Sequence, residues 1–365
     1  MINDNRESSD HSPLVSVVIP AYNAGYLREA VESVVSQTFR NFELIVVDDG
    51  SPGDSIKQIC SDFPDVHYIR QANAGPSVGR NRGIREARGE LIAFLDDDDV
   101  WLPEKLEKQV AFYDSISNKS DVGLIYGGQY LFDGETVFGA KVDSANGMVY
   151  PYLLFGQFIG TCSSVVIPRT VFDEVGFFDK NLICTQDYEF FLRIARRKLV
   201  YSIDEPLIKY RTRPDQITKD PALNNREDAE VLAMQKPYVS HELFRRVLAF
   251  NRQLCGERYK TKAYEALFHK RQKLDYMHWL FRSVVASRRL PTLPSTIYLL
   301  SCLVPGKLAE HISALKRRDQ NSRMSASVWR QEVASDDFTW MGFSRGHVNL
   351  TSLGAGQIGT NGERE

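Results

Sequence analysis

Along the first hundred residues, short β-branched apolar runs alternate with amphipathic stretches, and three of the four apolar runs stop at a polar cluster. Val15-Ser16-Val17-Val18-Ile19, bounded by Pro20, reads as a buried strand. A helical pattern follows from Leu27 to Gln37, with Ala30, Val31, Val34 and Val35 on one face. Phe42–Val47 and Val66–Ile69 read as further strands, separated by a helix through Ser55–Cys60. A helix over Ser77–Ala87 then leads into Leu91-Ile92-Ala93-Phe94-Leu95. Such alternation predicts an α/β fold: a mostly parallel sheet with helices on both faces. Ligands in such sheets bind beyond the carboxyl ends of the strands. The clusters Pro20–Asn23, Asp48–Ser51 and Asp96–Asp99 all stand at strand ends, so they are expected to share one rim.

The remainder is less regular. Val122–Tyr126 and Ser164–Ile167 read as strands, residues 127–161 as loops, and Gly176–Lys198 as a loop feeding a helix whose apolar face is Phe190, Phe191, Ile194 and Ala195. Beyond Pro221 the pattern is helical and basic. The expected organisation is a disordered tail over 1–13, an α/β domain over 14–220 with halves 14–118 and 119–220, a smaller helical region over 221–318, and a loosely ordered tail over 319–365.

The net charge of -2 conceals an asymmetry. Residues 1–221 carry 23 Lys/Arg against 33 Asp/Glu, whereas residues 222–320 carry 18 against 9. The basic part is either a set of solvated helix faces or a surface for an anionic membrane or acceptor. Within it Leu293–Val304, flanked by Arg288, Arg289 and Lys307, is either a packed helix or an interfacial segment. No stretch reaches the roughly 18 apolar residues of a spanning helix. The five scattered cysteines carry neither zinc spacing nor a disulfide framework, and Met1–His11 has no leader character. A cytoplasmic setting is expected, with no nucleic-acid partner; oligomeric state has no signal here.

Three clusters carry chemistry. Asp96-Asp97-Asp98-Asp99 concentrates carboxylates that repel unless compensated, and a hard divalent cation is one compensation. A solvated acidic turn with Asp99 capping the next helix is the other. Asp49, at a strand end before Gly50, can accept from an imide N–H or a ribose hydroxyl, or simply cap a turn. Asn73-Ala74-Gly75-Pro76-Ser77 opens a helix with free backbone N–H groups, and Arg80 lies one turn in.

In order, Val17–Asn23, Ser36-Gln37-Thr38-Phe39, Glu43–Ser51, Arg80-Asn81 and Phe94–Asp99 closely resemble family 2 glycosyltransferases of the GT-A fold, over about residues 14–215. The resemblance implies that Pro20, Tyr22 and Asp49 surround the nucleobase and that Arg80 and Arg213 belong to the donor site. It makes Asp96-Asp97-Asp98 the DxD motif, with Asp98 the ligand of Mn²⁺ or Mg²⁺, Asp96 facing the ribose or the metal through water, and Asp97 in the variable middle. It also implies that Asp187, in Thr185-Gln186-Asp187-Tyr188-Glu189, is the general base. Relatives commonly have Glu where Gln186 stands and many have His where Arg213 stands.

The implied activity is inverting, single-addition transfer from a nucleotide sugar, UDP-linked by expectation, to a hydroxyl of a glycan or lipid-linked acceptor. Such transfer serves cell-surface polysaccharide or glycoconjugate synthesis at the inner face of the membrane, with peripheral contact through the C-terminal region. The competing readings are a nucleotidyltransferase, which Pro20–Asn23 does not suit, and a catalytically silent sugar-nucleotide-binding protein, which Gln186 and Arg213 keep open.

Overall fold

β1 (Val15–Ala21) is buried along its whole length because it lies between two parallel neighbours. Around it the computed structural model, which describes residues 12–268, 273–288 and 348–349, builds one sheet. In chain order come α1 (Leu27–Val35), β2 (Phe42–Asp48), α2 (Ser55–Ser61), β3 (Val66–Arg70), α3 (Pro76–Glu86), β4 (Leu91–Phe94), β5 (Val100–Trp101) and α4 (Lys105–Ser115). Then follow β6 (Val122–Phe132), β7 (Val137–Lys141), β8 (Asn146–Gly147), α5 (Tyr150–Leu153), β9 (Val165–Pro168), α6 (Thr170–Val175), α7 (Gln186–Ala195) and β10 (Leu199–Arg211). Helices α8 (Pro221–Gln235), α9 (His241–Phe268) and α10 (Lys273–Ser287) and the short β11 (Val348–Asn349) complete the chain.

The order across the sheet is β11-β8-β10-β6-β9-β4-β1-β2-β3, with β5 on β10 and β7 on β6. Strands β3, β2, β1 and β4 are parallel, as the alternation predicts. β9 enters antiparallel between β4 and β6, so the sheet is mixed, and β6 and β10 form a second parallel pair. Val15, Val17, Ile19 and Ala21 face a core shared with Leu27, Ala30, Val31 and Val34 of α1 and Leu106 and Val110 of α4. The opposite face receives α3 and an aromatic cluster. Phe94 meets Phe178 edge-on at 5.4 Å, and Phe178 lies 4.3 Å from Phe190.

Two features depart from the sequence reading. Residues 127–161, expected as loops, continue β6 to Phe132 and turn at Asp133, whose Oδ1 accepts from the N–H groups of Glu135 and Thr136, into β7. β10 has thirteen residues, yet Asp204, Glu205 and Pro206 interrupt its pattern; its pairing with β6 shifts register there and absorbs them.

The chain divides into two compact units. Of the described residues, the first holds 12–150, 158–213 and 348–349, and the second 151–157, 214–268 and 273–288. In the second, Asp220 caps α8 by accepting from Ala222 N and Leu223 N. Tyr259 of α9 stacks on Trp279 of α10 at 5.9 Å, and Phe155 meets Phe250 at 5.6 Å. Among the described residues no helix is long and apolar enough to cross a membrane. Leu293–Val304, the tail up to residue 11 and the tail beyond 319, apart from 348–349, lie outside the described residues.

α3 approaches β1 so closely that a Cβ on Gly83 would lie 2.2 Å from Val18 Cγ1. Val18 is χ1-stiff and belongs to a central strand, so neither side can yield. Gly83→Ala should therefore destabilise the protein by about 1–3 kcal/mol, read as a lower denaturation midpoint; an unchanged midpoint would refute this packing.

Candidate active site

Beyond β4 the chain turns through the four aspartates, and the last of them holds the turn. Asp99 N–H donates to Asp96 O at 3.1 Å. The Asp99 carboxylate, 1% exposed, accepts from Ser163 Oγ at 2.6 Å and from Arg211 N at 3.0 Å. Ser163 Oγ in turn accepts from Asp96 N at 3.1 Å, and its carbonyl accepts from Trp101 Nε1 at 2.9 Å. Asp99 is thus an interior anchor, not the solvated helix cap considered from sequence. Burial pushes its carboxyl well above the usual carboxylate range, with Asp96 and Asp98 adding repulsion.

The three preceding carboxylates face outward and each has a different partner. Asp96 pairs with the Arg80 guanidinium. Asp97 accepts from Tyr22 N at 3.1 Å, tying the turn to the end of β1. Asp98 pairs with Arg213 at 2.8 Å, while its carbonyl accepts from Arg211 Nε at 2.8 Å. Desolvation, reinforced by Asp98 and Asp96, pushes Asp97 up to about 8. Desolvation and Asp96 also raise Asp98, against the pull of Arg213. Even with Asp96 paired to Arg80 and Asp98 to Arg213, these desolvated carboxylates repel one another, the chemistry that suits a hard divalent cation. Among the described residues no three His, Cys, Asp or Glu side chains form a cage. Asp98 and Asp96 could therefore hold such an ion only with water or phosphate oxygens completing its shell, which is how Mg²⁺ is commonly bound.

On the other side of β1, Asp48 caps its own turn, accepting from Ser51 N and from Tyr68 OH, each at 2.8 Å. Asp49 is buried and its carboxylate is engaged. Gln71 Nε2 donates at 2.7 Å and Gly75 N at 2.7 Å, while Ala74 N reaches both oxygens. A carboxylate has about four acceptor sites, so a base N–H would have to share an oxygen already in use. Pro20 is buried in β1 beside Gly79 of α3, and Tyr22 is exposed at the rim. Position 50 requires glycine, since its φ is 75° and a Cβ there would meet Asn73 N at 2.6 Å.

Asp187 is the second residue of α7 and half-buried. Burial pushes its pKa up to about 6; Arg80 opposes that shift and Asp96 adds to it. Asp187, Arg80 and Asp96 therefore share one electrostatic neighbourhood, although they come from α7, α3 and the aspartate turn. Arg80 is almost wholly buried, its Nε and Nη1 without a hydrogen-bond partner and its guanidinium 5.6 Å from the Phe178 ring centre. Asn81 fixes the approach to α7: its Nδ2 donates to Phe178 O at 2.9 Å and its Oδ1 accepts from Phe178 N at 3.0 Å. Gln186 is buried with its Oε1 unpartnered. Glu189 instead holds Arg193 through both carboxylate oxygens, at 2.6 and 2.7 Å, and Arg193 donates to the carbonyls of Val175 and Phe177.

The structure thus brings Asp96, Asp97, Asp98, Tyr22, Arg80 and Arg213 to one rim, places Asp187 in the electrostatic reach of two of them, and leaves Pro20 and Asp49 inside the fold. Two organising residues had no distinct signal. Ser163 is one serine among several, and Arg211 lies two residues before Arg213 with nothing in the sequence to single it out.

Ser163→Ala should remove a donor from buried Asp99 and an acceptor from Asp96 N, at a cost of about 1–3 kcal/mol, measurable by denaturant titration. Asp97 supplies a pH test. With its folded value near 8 against an ordinary 3.8, the folded state holds the proton longer, so its contribution to stability erodes as pH rises across that window. Asp97→Asn should therefore raise the melting temperature of metal-free protein above pH 8 and leave it unchanged near pH 4. A gain of equal size at both pH values would contradict the assigned cause.

Residues 16–168 match the model of glycosyl transferase family 2. An uncharacterized glycosyltransferase of Rickettsia typhi is 35% identical over 234 residues, which cover 62% of this chain and 72% of the relative. The Escherichia coli UDP-Glc:alpha-D-GlcNAc-diphosphoundecaprenol beta-1,3-glucosyltransferase WfgD is 31% identical over 213 residues, covering 57% of this chain and 80% of that protein. Among solved structures, the mannosyltransferase PcManGT of Pyrobaculum calidifontis, in complex with GDP-Man and Mn²⁺, superposes with a TM-score of 0.51 at 15% identity, over 84% of this chain and 87% of that one. At that identity the likeness is one of fold. With the sheet order and the aspartate turn at its rim, these matches make the chain a family 2 glycosyltransferase, an enzyme of glycosyl transfer on a GT-A fold.

Proposed function

We propose that this glycosyltransferase moves a sugar from a UDP-linked donor to a hydroxyl of a lipid-linked glycan acceptor, one residue at a time and with inversion. The observation that carries the reading is Asp187, a half-buried carboxylate raised to about 6 and lying in the field of Arg80 and Asp96. A base so poised is ionised at neutral pH yet basic enough to take a hydroxyl proton. The donor and acceptor classes are those in the printed name of the Escherichia coli relative.

In the reaction, Asp187 accepts the acceptor's hydroxyl proton as that oxygen bonds to the anomeric carbon. The bond from that carbon to the diphosphate breaks on the opposite face, and the nucleoside diphosphate leaves with the electron pair. Arg213 and Arg80 bring positive charge to the rim where the diphosphate would lie. Asp98, with Asp96 behind it, would hold Mn²⁺ or Mg²⁺, which when bound supplies Lewis-acid neutralisation of the leaving group. Tyr22, exposed beside the turn, would offer its ring to the nucleobase. Pro20 and Asp49 would act from beneath, by fixing the strand end and the Gln71–Gly75 segment on which the base rests. A silent binding protein stays distinguishable because it would bind the donor without turnover.

Asp187→Asn should lower kcat by about 10²–10⁴-fold while donor binding, read by calorimetry, stays near wild type; wild-type turnover in this variant would remove Asp187 from the mechanism. The reactive form is the carboxylate, so kcat/KM should fall as pH drops through about 6 and level off above it. Thermal stabilisation by a panel of nucleotide sugars, with and without Mn²⁺, would identify the donor and the metal requirement together. Asp98→Ala should lose the Mn²⁺-dependent part of that stabilisation; a donor shift independent of Mn²⁺ in the wild type would count against the metal assignment.

A further inference from the structure

Two of the three outward carboxylates of the acidic turn already have a cationic partner, and those partners are held very differently. Arg80 is locked: it is 4% exposed, rises from the middle of α3 and lies against the Phe178 ring. Arg213 reaches Asp98 Oδ2 at 2.8 Å with a side chain that is 31% exposed. The chain just before it is pinned. Thr212 N donates to Phe132 O at 2.8 Å, and Arg211 is tied to the turn through its N and Nε. Movement at Arg213 therefore belongs to its side chain. Arg213 Cζ also lies 5.5 Å from the centre of the Tyr26 ring, which is exposed at the rim. The guanidinium thus has an aromatic contact besides its ionic one.

A guanidinium donates hydrogen bonds but cannot ligate a cation, and it keeps its charge at any ordinary pH. Asp98 is largely shielded from water, so the Arg213 charge beside it opposes a second positive charge at the same carboxylate. We infer that Arg213 is a displaceable latch on the cation site: while it holds Asp98 a divalent cation binds poorly, and the donor's diphosphate opens the site by drawing the guanidinium onto its own oxygens. This rests on Asp98 being the cation's ligand, as proposed above. Cation and nucleotide then bind as a coupled pair, each raising the affinity of the other by the same factor. Arg80 cannot play this part, because its buried head group is packed in place. Tyr26 keeps the released Arg213 at the rim, where phosphate oxygens can accept from it. Between donors, the latch supplies counter-charge that the acidic turn would otherwise lack.

The test is titration of the metal-free full chain with Mn²⁺, with and without UDP, following free Mn²⁺ by electron paramagnetic resonance. Arg213→Gln should bind Mn²⁺ alone at least about tenfold more tightly than wild type, and UDP should add less to its affinity than it adds in wild type. Arg213→Lys keeps a charge and should stay near wild type. Adding Asp98→Ala to Arg213→Gln should abolish the gain, which locates it at that carboxylate. If wild type and Arg213→Gln both bind Mn²⁺ with equal affinity, the latch is overturned while the cation site stands. A Lys variant as tight as the Gln variant would overturn it too, since charge would not be the cause. Absence of Mn²⁺ binding by every variant, with UDP or without, would instead fail the cation assignment, and the latch with it. Should Arg213→Gln melt early, wild type still decides: Mn²⁺ held as tightly without UDP as with it leaves no latch to open.

Discussion

The candidate site depends on one buried carboxylate. Asp99 sits at the junction of three chain segments, accepting from Ser163 before β9 and from the backbone of Arg211 at the end of β10, while its own N–H closes the turn on Asp96. A desolvated carboxylate is costly to leave unsatisfied, so those donors are held as firmly as it is. The shape of the acidic turn is therefore decided from beneath. The three outward aspartates can face repulsion and desolvation because their backbone has nowhere else to go.

The opposing charge is distributed with the same economy. Arg80, Arg211 and Arg213 reach the turn from α3 and from the far end of β10, and each meets it differently. Arg211 spends its bonds on the Asp98 carbonyl and Glu29 and lies between the rings of Tyr26 and Phe132, at 4.3 and 4.4 Å. It is a brace. Arg80 and Arg213 address carboxylates directly, so they compensate charge that a diphosphate and a cation would otherwise reorganise. The short pairing of β5 with β10, Trp101 opposite Ile208, delivers the two β10-side arginines to the turn.

Much of this architecture was legible in the residues. β1 to β4 and their helices could be read because they are short, β-branched and bounded by polar clusters, and the shared rim followed from their parallel order. β10 could not be read, since Asp204-Glu205-Pro206 breaks its alternation and only a bulge against β6 repairs it. The hairpin of β6 and β7 was hidden because Gly127 and Gly128 look like turn residues. They are strand residues packed against Leu207 and the Lys141–Val142 backbone and side chain. Within the site, the carboxylates and Arg80 announced themselves by type and position. The embedding of Asp49 in the Gln71–Gly75 segment did not, because hydrogen bonds to backbone N–H leave no mark on composition. Ser163 is silent for a related reason: its importance lies wholly in what surrounds it.

The two-way amide clasp between Asn81 and the backbone of Phe178 separates what must stay fixed from what can change. On one side of it the chain is committed, through Arg80, to the acidic turn. On the other, the stretch from Asp179 to Thr185 runs to α7 with Ile183 44% exposed and Asn181 bonded only to Asp179. Both ends of that stretch are pinned, one by Asn81 and the other by the helix that carries Asp187. Between the pins Lys180, Asn181 and Ile183 face solvent, whereas Leu182, Cys184 and Thr185 are buried and hold the stretch to the fold. A scaffold of this kind can vary the exposed part of that stretch while the acidic turn and the helix carrying Asp187 stay in register.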